Sequence, residues 1–528
     1  AATRVDENGL VNYAEVIGDE LVTCGDFSCA VPTDYWTATN AVISFANNQI
    51  TVDDTAGAGG DSRATQNFPT ISGRVYRVKI NRISTTTSFW LSIGNGTSFN
   101  NIKYLNLGTD TGEYTTEFTA LGSSSTIALQ VGGSGVSVFS DVTVKEVTRD
   151  NVPRIDYTGG GCPHILAEPQ RTNRVTNSDQ FSGSETNVSV LRNQIISPDG
   201  SLNADRIIDN NIFGEHLITG SFTGGITSGL NYTSSAFFKS DGTNGQGVIR
   251  FFTGAWEYAV FNLVNGTISY TSSGVSKIEN YGNGWYRCSL KVTAVSNHAN
   301  TITQLAIGNS LNQFSYQGAS NLSYYFWGAQ LEEGSYPTSY IPTVASSVTR
   351  NQDIFTRDGI GSLINSTEGV LFVEMAALAN DSTQRAIGLS NGTADERIAI
   401  VYNDASNVIR LFCKSGGLTT SIIYSSATIV DYNKIAVKWN NGNDYALWVN
   451  GVEVGTSVTG NSFPADTLNE LSFSFYGTNT PLYAKVKQLQ VYDTALTDNQ
   501  LIQLTGEAGT HFFESYAEMA EALTYTIQ

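Results

Sequence analysis

Short runs in which apolar and polar residues alternate constrain this chain more than any other feature. Val75-Tyr-Arg-Val-Lys-Ile80, Tyr286-Arg-Cys-Ser-Leu-Lys-Val292 and Lys434-Ile-Ala-Val-Lys-Trp439 are the clearest. A period of two puts successive side chains on opposite faces of a strand, so each run reads as a strand with one buried face. Clusters of Gly, Asn, Ser, Thr and Asp lie between the runs and supply the positive φ angles of turns. Strands at such spacing without helices between them argue for antiparallel sandwiches over βαβ units. At 528 residues the chain exceeds one core, and about 150 residues per domain gives three or four.

Composition removes several functions. Charged residues make up 15%, Tyr and Phe number 25 each, and Met only 2. That suits strands with small polar residues on the wet face, and not helices. The net charge of −19, from 29 basic and 48 acidic residues, would repel a phosphate backbone, so no nucleic-acid partner is expected. No apolar stretch approaches the roughly 18 residues that span a bilayer, so no membrane insertion is expected. The opening AATRVDENG is neither a signal peptide nor a Met start, which predicts a chain that begins inside a longer product or after processing. Of five cysteines, Cys24 and Cys29 in CGDFSC either close a small loop or stay as two reduced thiols. None of the four histidines is close enough in sequence to complete a zinc site.

The predicted organisation follows from the breaks in the pattern. Residues 148–173 hold three of the ten prolines and a Gly triplet, and read as an ordered linker. Residues 337–358 are similar, with the linker proper at 344–359. An N-terminal segment, 1–19, then precedes modules at 20–147, 174–343 and 360–506. The fold class is all-β, three consecutive antiparallel β-sandwich (jelly-roll) modules with short helices at the C-terminus. The first two modules read as distant copies. Both carry an early Phe-Ser phrase (Asp26-Phe-Ser28, Gln180-Phe-Ser182), an Ile-Gly-Asn turn (Ile93–Asn95, Ile307–Asn309) and an acidic-ended closing strand (Val142–Glu146, Phe326–Glu332). In the third, Asn450-Gly451 predicts a type I′ hairpin, and Thr497 with Gln500 a capping box. Phe512, Tyr516, Met519 and Leu523 share one face, which predicts an amphipathic helix over 507–528.

Several phrases resemble known proteins. Ala2-Thr-Arg-Val-Asp6, Asn151–Tyr157 and Glu168–Asn173 resemble a connector of phage tail-fibre and head-fibre proteins. Ala204–Ile207, Asn283–Arg287, Trp327–Gly334 and Pro337–Pro342 are similar to the carbohydrate-binding-module-like jelly roll of those proteins. Leu447–Gly451, Val486–Tyr492 and Ala495–Thr497 give module three the look of a concanavalin A-like (laminin-G-like) lectin domain. Module one resembles galactose-binding-like jelly rolls broadly. The resemblance implies a virion structural or receptor-binding protein on the virion surface, contacting host surface glycan and other virion proteins, as a homotrimer.

Concanavalin A-like folds also house glycosidases, which need two carboxylates about 5–10 Å apart. Module three has no alternating carboxylate triplet: Glu374 stands alone, and Glu453 lies beside the Asn-Gly turn. Glu332 and Glu333 are adjacent, so a strand points them to opposite faces, and they read as solvated. Gly388-Leu-Ser-Asn-Gly392 matches G-x-S-x-G, but a second strand follows, so it reads as a hairpin. Asp53, Asp54 and Asp61 in a Gly-rich loop either hold a structural Ca²⁺ or form a solvated acidic loop, and no cofactor is required. Tyr35, Trp36, Trp90, Trp256 and Tyr258 are the candidate carbohydrate-binding aromatics, since a sugar's apolar face stacks on an exposed ring. Burial in a sandwich is the competing reading for each. Trp285, Trp327, Trp439 and Trp448 read as core. The sequence thus predicts a non-enzymatic glycan binder acting by multivalent contact, at about millimolar affinity per module. An architectural scaffold without sugar binding and a polysaccharide-degrading enzyme are the alternatives.

Overall fold

Strand Val75–Thr85 shows how the alternation becomes a core. Tyr76, Val78 and Ile80 are buried, while Arg77 pairs with Glu15 and Glu117 on the other face. The computed structural model describes residues 2–507 except 56–60, 151, 221, 244, 300–301, 403–404, 426, 441–443 and 478. The chain divides into two units, residues 14–152 and residues 1–13 together with 153 onward. The predicted helix over 507–528, with Phe512, Tyr516, Met519 and Leu523, lies outside the described residues.

The unit 14–152 is a two-sheet sandwich. One sheet orders Lys103–Asn106, Phe89–Gly94, Ser124–Val131, Ser62–Pro69 and Thr37–Thr39. The other orders Gly112–Thr119, Val75–Thr85, Val136–Thr148, Gln49–Asp53 and Val42–Ala46, and Val16–Glu20 also pairs with Val136–Thr148. The first module therefore begins before residue 20. Cys24 and Cys29 are disulfide-bonded. The loop they close carries Gly25, where a Cβ would lie 2.0 Å from the Val142 carbonyl oxygen. It also carries Phe27, which is buried against Trp36. Closing so short a loop stabilises by about 2 kcal/mol. Reduction is expected to lower the melting temperature of this unit by about 5 °C, measured by calorimetry with and without a phosphine reductant, and to leave the other unit's transition unmoved.

The second sandwich repeats this topology. Trp256–Asn262, Gln246–Phe252, Thr303–Gly308 and Leu217–Gly220 stand in the order of the first module's Lys103–Asn106 to Ser62–Pro69. Trp285–Thr293, Asn231–Ser240, Ser323–Glu333 and Leu202–Asp209 match the second sheet likewise. The two Ile-Gly-Asn phrases are not equivalent. One ends Phe89–Gly94, whose counterpart is Gln246–Phe252, and the other ends Thr303–Gly308. Glu332 is not solvated. It is buried and accepts hydrogen bonds from the Thr338 amide, the Thr338 hydroxyl and Gln330.

The third sandwich corrects the linker assignments. Its seven-stranded sheet runs Ile155–Asp156, His164–Ala167, Ala484–Tyr492, Gly369–Ala377, Asn433–Trp439, Tyr445–Val449, Val452–Ser457. Two of those strands come from 148–173. Thr356–Arg357, from the second linker, joins the six-stranded sheet beside Glu470–Ser472. Both segments are too short for periodicity to mark them, and backbone pairing holds them in place. Asn450 and Gly451 take φ of 51° and 84°, as the predicted hairpin requires. Thr497 and Gln500 form the capping box of helix Asp498–Thr505, whose Leu501 packs on Phe372 and Trp448.

A buried ion network ties these segments together. Arg154 donates to Glu168 at 2.7 Å, to the Ser339 hydroxyl at 2.8 Å and to the Thr3 carbonyl at 3.2 Å, and it pairs with Asp353. Arg350 lies 3.4 Å from Glu168 and 3.5 Å from Asp353. Burial raises the Glu168 carboxyl, but Arg154 and Arg350 outweigh it and hold the group at about 2, while burial leaves Asp353 raised. Beside the network, Asp156 accepts the amides of Val5 and Thr158 and sits 3.4 Å from His164 Nε2.

Candidate functional site

The face of the second sandwich built on Gln246–Phe252 gathers aromatic side chains around one arginine. Ile249, Phe251, Ala259 and Phe261 point into the core, so Arg250 and Tyr258 point outward by strand parity. Gln304, Arg250 and Tyr258 stand in cross-strand register over three strands. Arg250 Nη1 donates to Gln304 Oε1 at 3.1 Å and to Glu215 Oε2 at 3.2 Å. Held in this way, its guanidinium lies 3.9 Å from the Trp256 ring centroid and 4.9 Å from that of Phe314. Such a contact contributes roughly 0.5–2 kcal/mol and fixes the indole without a ligand.

Trp256 is 38% exposed and Tyr270 43% exposed. Tyr258 and Tyr270 stack at 5.1 Å with 29° between their planes. Burial, then the neighbouring Tyr270 hydroxyl, push the Tyr258 phenol above its usual value, so the Tyr258 phenol remains a hydrogen-bond donor at neutral pH. The arrangement is a wet aromatic surface edged by amide, guanidinium and carboxylate groups, as hydroxyl-rich ligands require. Trp256 and Tyr258 are among the aromatics the sequence offers as candidates; Arg250, Tyr270 and Phe314 were not singled out. A signal existed for Arg250, a lone cation within the apolar run Val248-Ile-Arg-Phe-Phe252.

Module one presents a second aromatic pair. Trp90 and Tyr104 lie 6.5 Å apart with planes 18° from parallel, and Tyr104 is 50% exposed. Gln130 stands opposite Trp90 in register and donates to Asp61 at 3.1 Å. Trp90 and Arg250 lie at opposite ends of equivalent strands, so the two modules do not share one copied site.

The remaining candidates are separated. Tyr35 is exposed, but Trp36 is a core residue at 2% exposure, with Nε1 donating to the Cys24 carbonyl at 3.2 Å. The short turn Pro32–Asp34 sends one ring out and its neighbour in. Asp53, Asp54 and Asp61 do not converge as a Ca²⁺ ligand set. Asp53 accepts from Thr55, Asp54 from the Ser134 amide and Asp61 from Gln130. Among the described residues no group of three or more His, Cys, Asp or Glu is placed to hold a metal ion. Trp285, Trp327, Trp439 and Trp448 are core residues. Ser390 of the G-x-S-x-G phrase is buried at a hairpin between Arg385–Ser390 and Arg397–Tyr402. Module three also sets an arginine among rings, Arg397 lying 4.4 Å from Phe475 and 4.8 Å from Phe412 and Tyr476, but there Phe412 is buried and the other two rings are half-buried, whereas Trp256 is exposed.

Residues 371–502 match the family model of the Concanavalin A-like lectin/glucanases superfamily, so the third sandwich is a concanavalin A-like, laminin G-like domain. No curated protein matches the chain in sequence. Solved structures that align with it include the CBM40 of the Ruminococcus gnavus IT-sialidase, at 16% identity over 29% of this chain and 99% of that one, with a TM-score of 0.25. Domains LG4-5 of the mouse laminin alpha1 chain align at 10% identity over 61% and 92%, with a TM-score of 0.20. The CBM22-1-CBM22-2 tandem of Paenibacillus barcinonensis Xyn10C aligns at 9% identity over 62% and 100%, with a TM-score of 0.21.

Proposed function

We propose that this chain binds glycans without cleaving them, as a surface protein of a phage virion, through aromatic platforms on its sandwich faces. The observation that carries the reading is Trp256, exposed yet fixed by an arginine that is itself tied to Glu215 and Gln304. A ring ordered in advance loses little entropy when a sugar stacks on it. The nearby carboxylates speak against hydrolysis, since Glu215 is engaged by Arg250 and Glu257 by Ser272. The concanavalin A-like match in module three favours the same ligand class. The virion setting rests on the connector phrases at Ala2–Asp6, Asn151–Tyr157 and Glu168–Asn173. With Trp90 and Tyr104 as a second platform, and three chains in a fibre, weak sites would add by avidity.

A glycan array probed with the full chain tests this. Trp256→Ala and Tyr270→Ala are each expected to weaken binding to the best ligand at least tenfold, about 1.4 kcal/mol, while the chain still unfolds cooperatively with a melting temperature lowered by only a few degrees. No binding across the array would favour an architectural role, and release of reducing ends from a bound polysaccharide would favour an enzyme.

A further inference from the structure

The other sheet of the second sandwich has a floor of different chemistry. On strand Trp285–Thr293, Cys288, Leu290 and Val292 enter the core, so Arg287, Ser289 and Lys291 face outward. Their cross-strand partners are Phe237, Ser235 and Thr233 on one side. On the other side they are Glu279, Lys277 and Val275. Tyr432 and Lys485 of the third sandwich and Arg4, on strand Thr3–Val5, which pairs with Val11–Tyr13, face this floor, and together they line a cavity of about 330 Å³.

In a chain of net charge −19, this cavity collects cations. Arg4, Lys277, Arg287, Lys291 and Lys485 line it, against the carboxylates of Asp156, Glu168 and Glu279. Each of those carboxylates is already engaged. Glu279 pairs with Lys277 at 2.7 Å, Glu168 with Arg154, and Asp156 accepts two backbone amides. Lys291 and Lys485 have no ion pair among the described residues. Arg287 is buried, and its Nε has no partner, although Nη2 donates to the Thr338 carbonyl at 2.6 Å. Unpaired positive charge in a half-enclosed site is costly unless an anion enters. The Ser289 hydroxyl, the acceptor oxygen of Thr233 (whose proton goes to the Gly334 carbonyl at 2.9 Å) and the rings of Tyr281 and Tyr432 add hydrogen-bonding and stacking surface for a sugar. Lys487 Nζ lies over the Tyr432 ring, 3.8 Å from its centroid.

We propose that this cleft binds the carboxylate-bearing residue of an acidic glycan, a sugar of the uronic-acid type. Lys291 and Lys485 take the carboxylate, and Ser289 and Thr233 take ring hydroxyls. The proposal rests on the glycan-binding reading for its ligand class and shares no residue with the Trp256 face.

Titration calorimetry of the full chain with a galacturonic-acid trisaccharide and a neutral galactose trisaccharide tests it. The acidic sugar is expected to bind at least tenfold more tightly, and added salt to weaken it. Lys291→Ala with Lys485→Ala is expected to lower its affinity at least tenfold, while the corresponding double arginine variant keeps most of it. Trp256→Ala is expected to leave it within twofold, which separates this site from the aromatic face. Equal affinity for both sugars, no binding of the acidic one, or undiminished binding in the double alanine variant overturns the proposal. So does loss of acidic-sugar binding in Trp256→Ala.

Discussion

Arg154→Ala is expected to remove about 3–5 kcal/mol from the unit formed by residues 1–13 and 153 onward. The loss comes less from the missing contacts than from what stays behind. Glu168 would remain buried with Arg350 alone, and Asp353 would lose the closer of its two cations. Since native domains hold only about 5–15 kcal/mol, a variant of this kind spends much of its time unfolded. Urea titration should show the transition of this unit moving to much lower denaturant, with that of residues 14–152 in place. Removing both charges of the closest pair, in Arg154→Met with Glu168→Gln, should cost clearly less than Arg154→Ala. Equal losses would mean that contacts, and not stranded charge, hold the junction.

Acid should strike the same junction. Burial pushes the His164 imidazole down to about 4, Asp156 opposes the shift, and Lys485 and Lys487 add to it. Tyr432 packs edge-on at 6.4 Å. Below pH 6.5 the unfolded chain takes up a proton that the folded chain refuses, so stability falls as pH drops from about 6.5 to 4. The loss amounts to about 3 kcal/mol. Glu168 adds a second loss below pH 4.5, as the unfolded carboxyl protonates before the folded one at about 2. Asp353 has the opposite sign, because its raised value relieves the fold on protonation, and it offsets part of that second loss. Urea midpoints measured between pH 8 and 4 should therefore slope steeply in the wild type and flatten in His164→Gln. A wild-type profile flat down to pH 4.5 would contradict the buried neutral imidazole.

The sequence carried the parts of this fold that are decided locally. Strand parity needs only a residue and its neighbours, so Val75–Ile80, Tyr286–Val292 and Lys434–Trp439 all fall within strands of the expected sidedness. Asn450-Gly451 and the Thr497–Gln500 box were legible for the same reason. Pairing over distance was not. Ile165 meets Val486 and Thr356 meets Ser472, and nothing in two to four residues announces such a partner. The repeat was real, but it resided in strand order, while the shared Ile-Gly-Asn phrase fell on unlike strands. At the candidate site the sequence offered Trp36 and Trp256 on equal terms. Their difference is which wall each ring meets: the Phe27 side of a core for one, and a guanidinium on the outer face of a sheet for the other.

The pairing of His164–Ala167 with Ala484–Tyr492 also sets an order of completion at the ribosome. About 300 residues separate the two strands, so at roughly 5–20 residues per second the earlier one waits some tens of seconds for its neighbour. Residues 14–152 draw every strand of their two sheets from within themselves and can finish while the rest is still being made. The second sandwich likewise takes both its six-stranded sheets from within residues 183–333. Nascent chains arrested before residue 480 should therefore carry two finished, protease-resistant bodies, with the segments of the third sandwich still digestible.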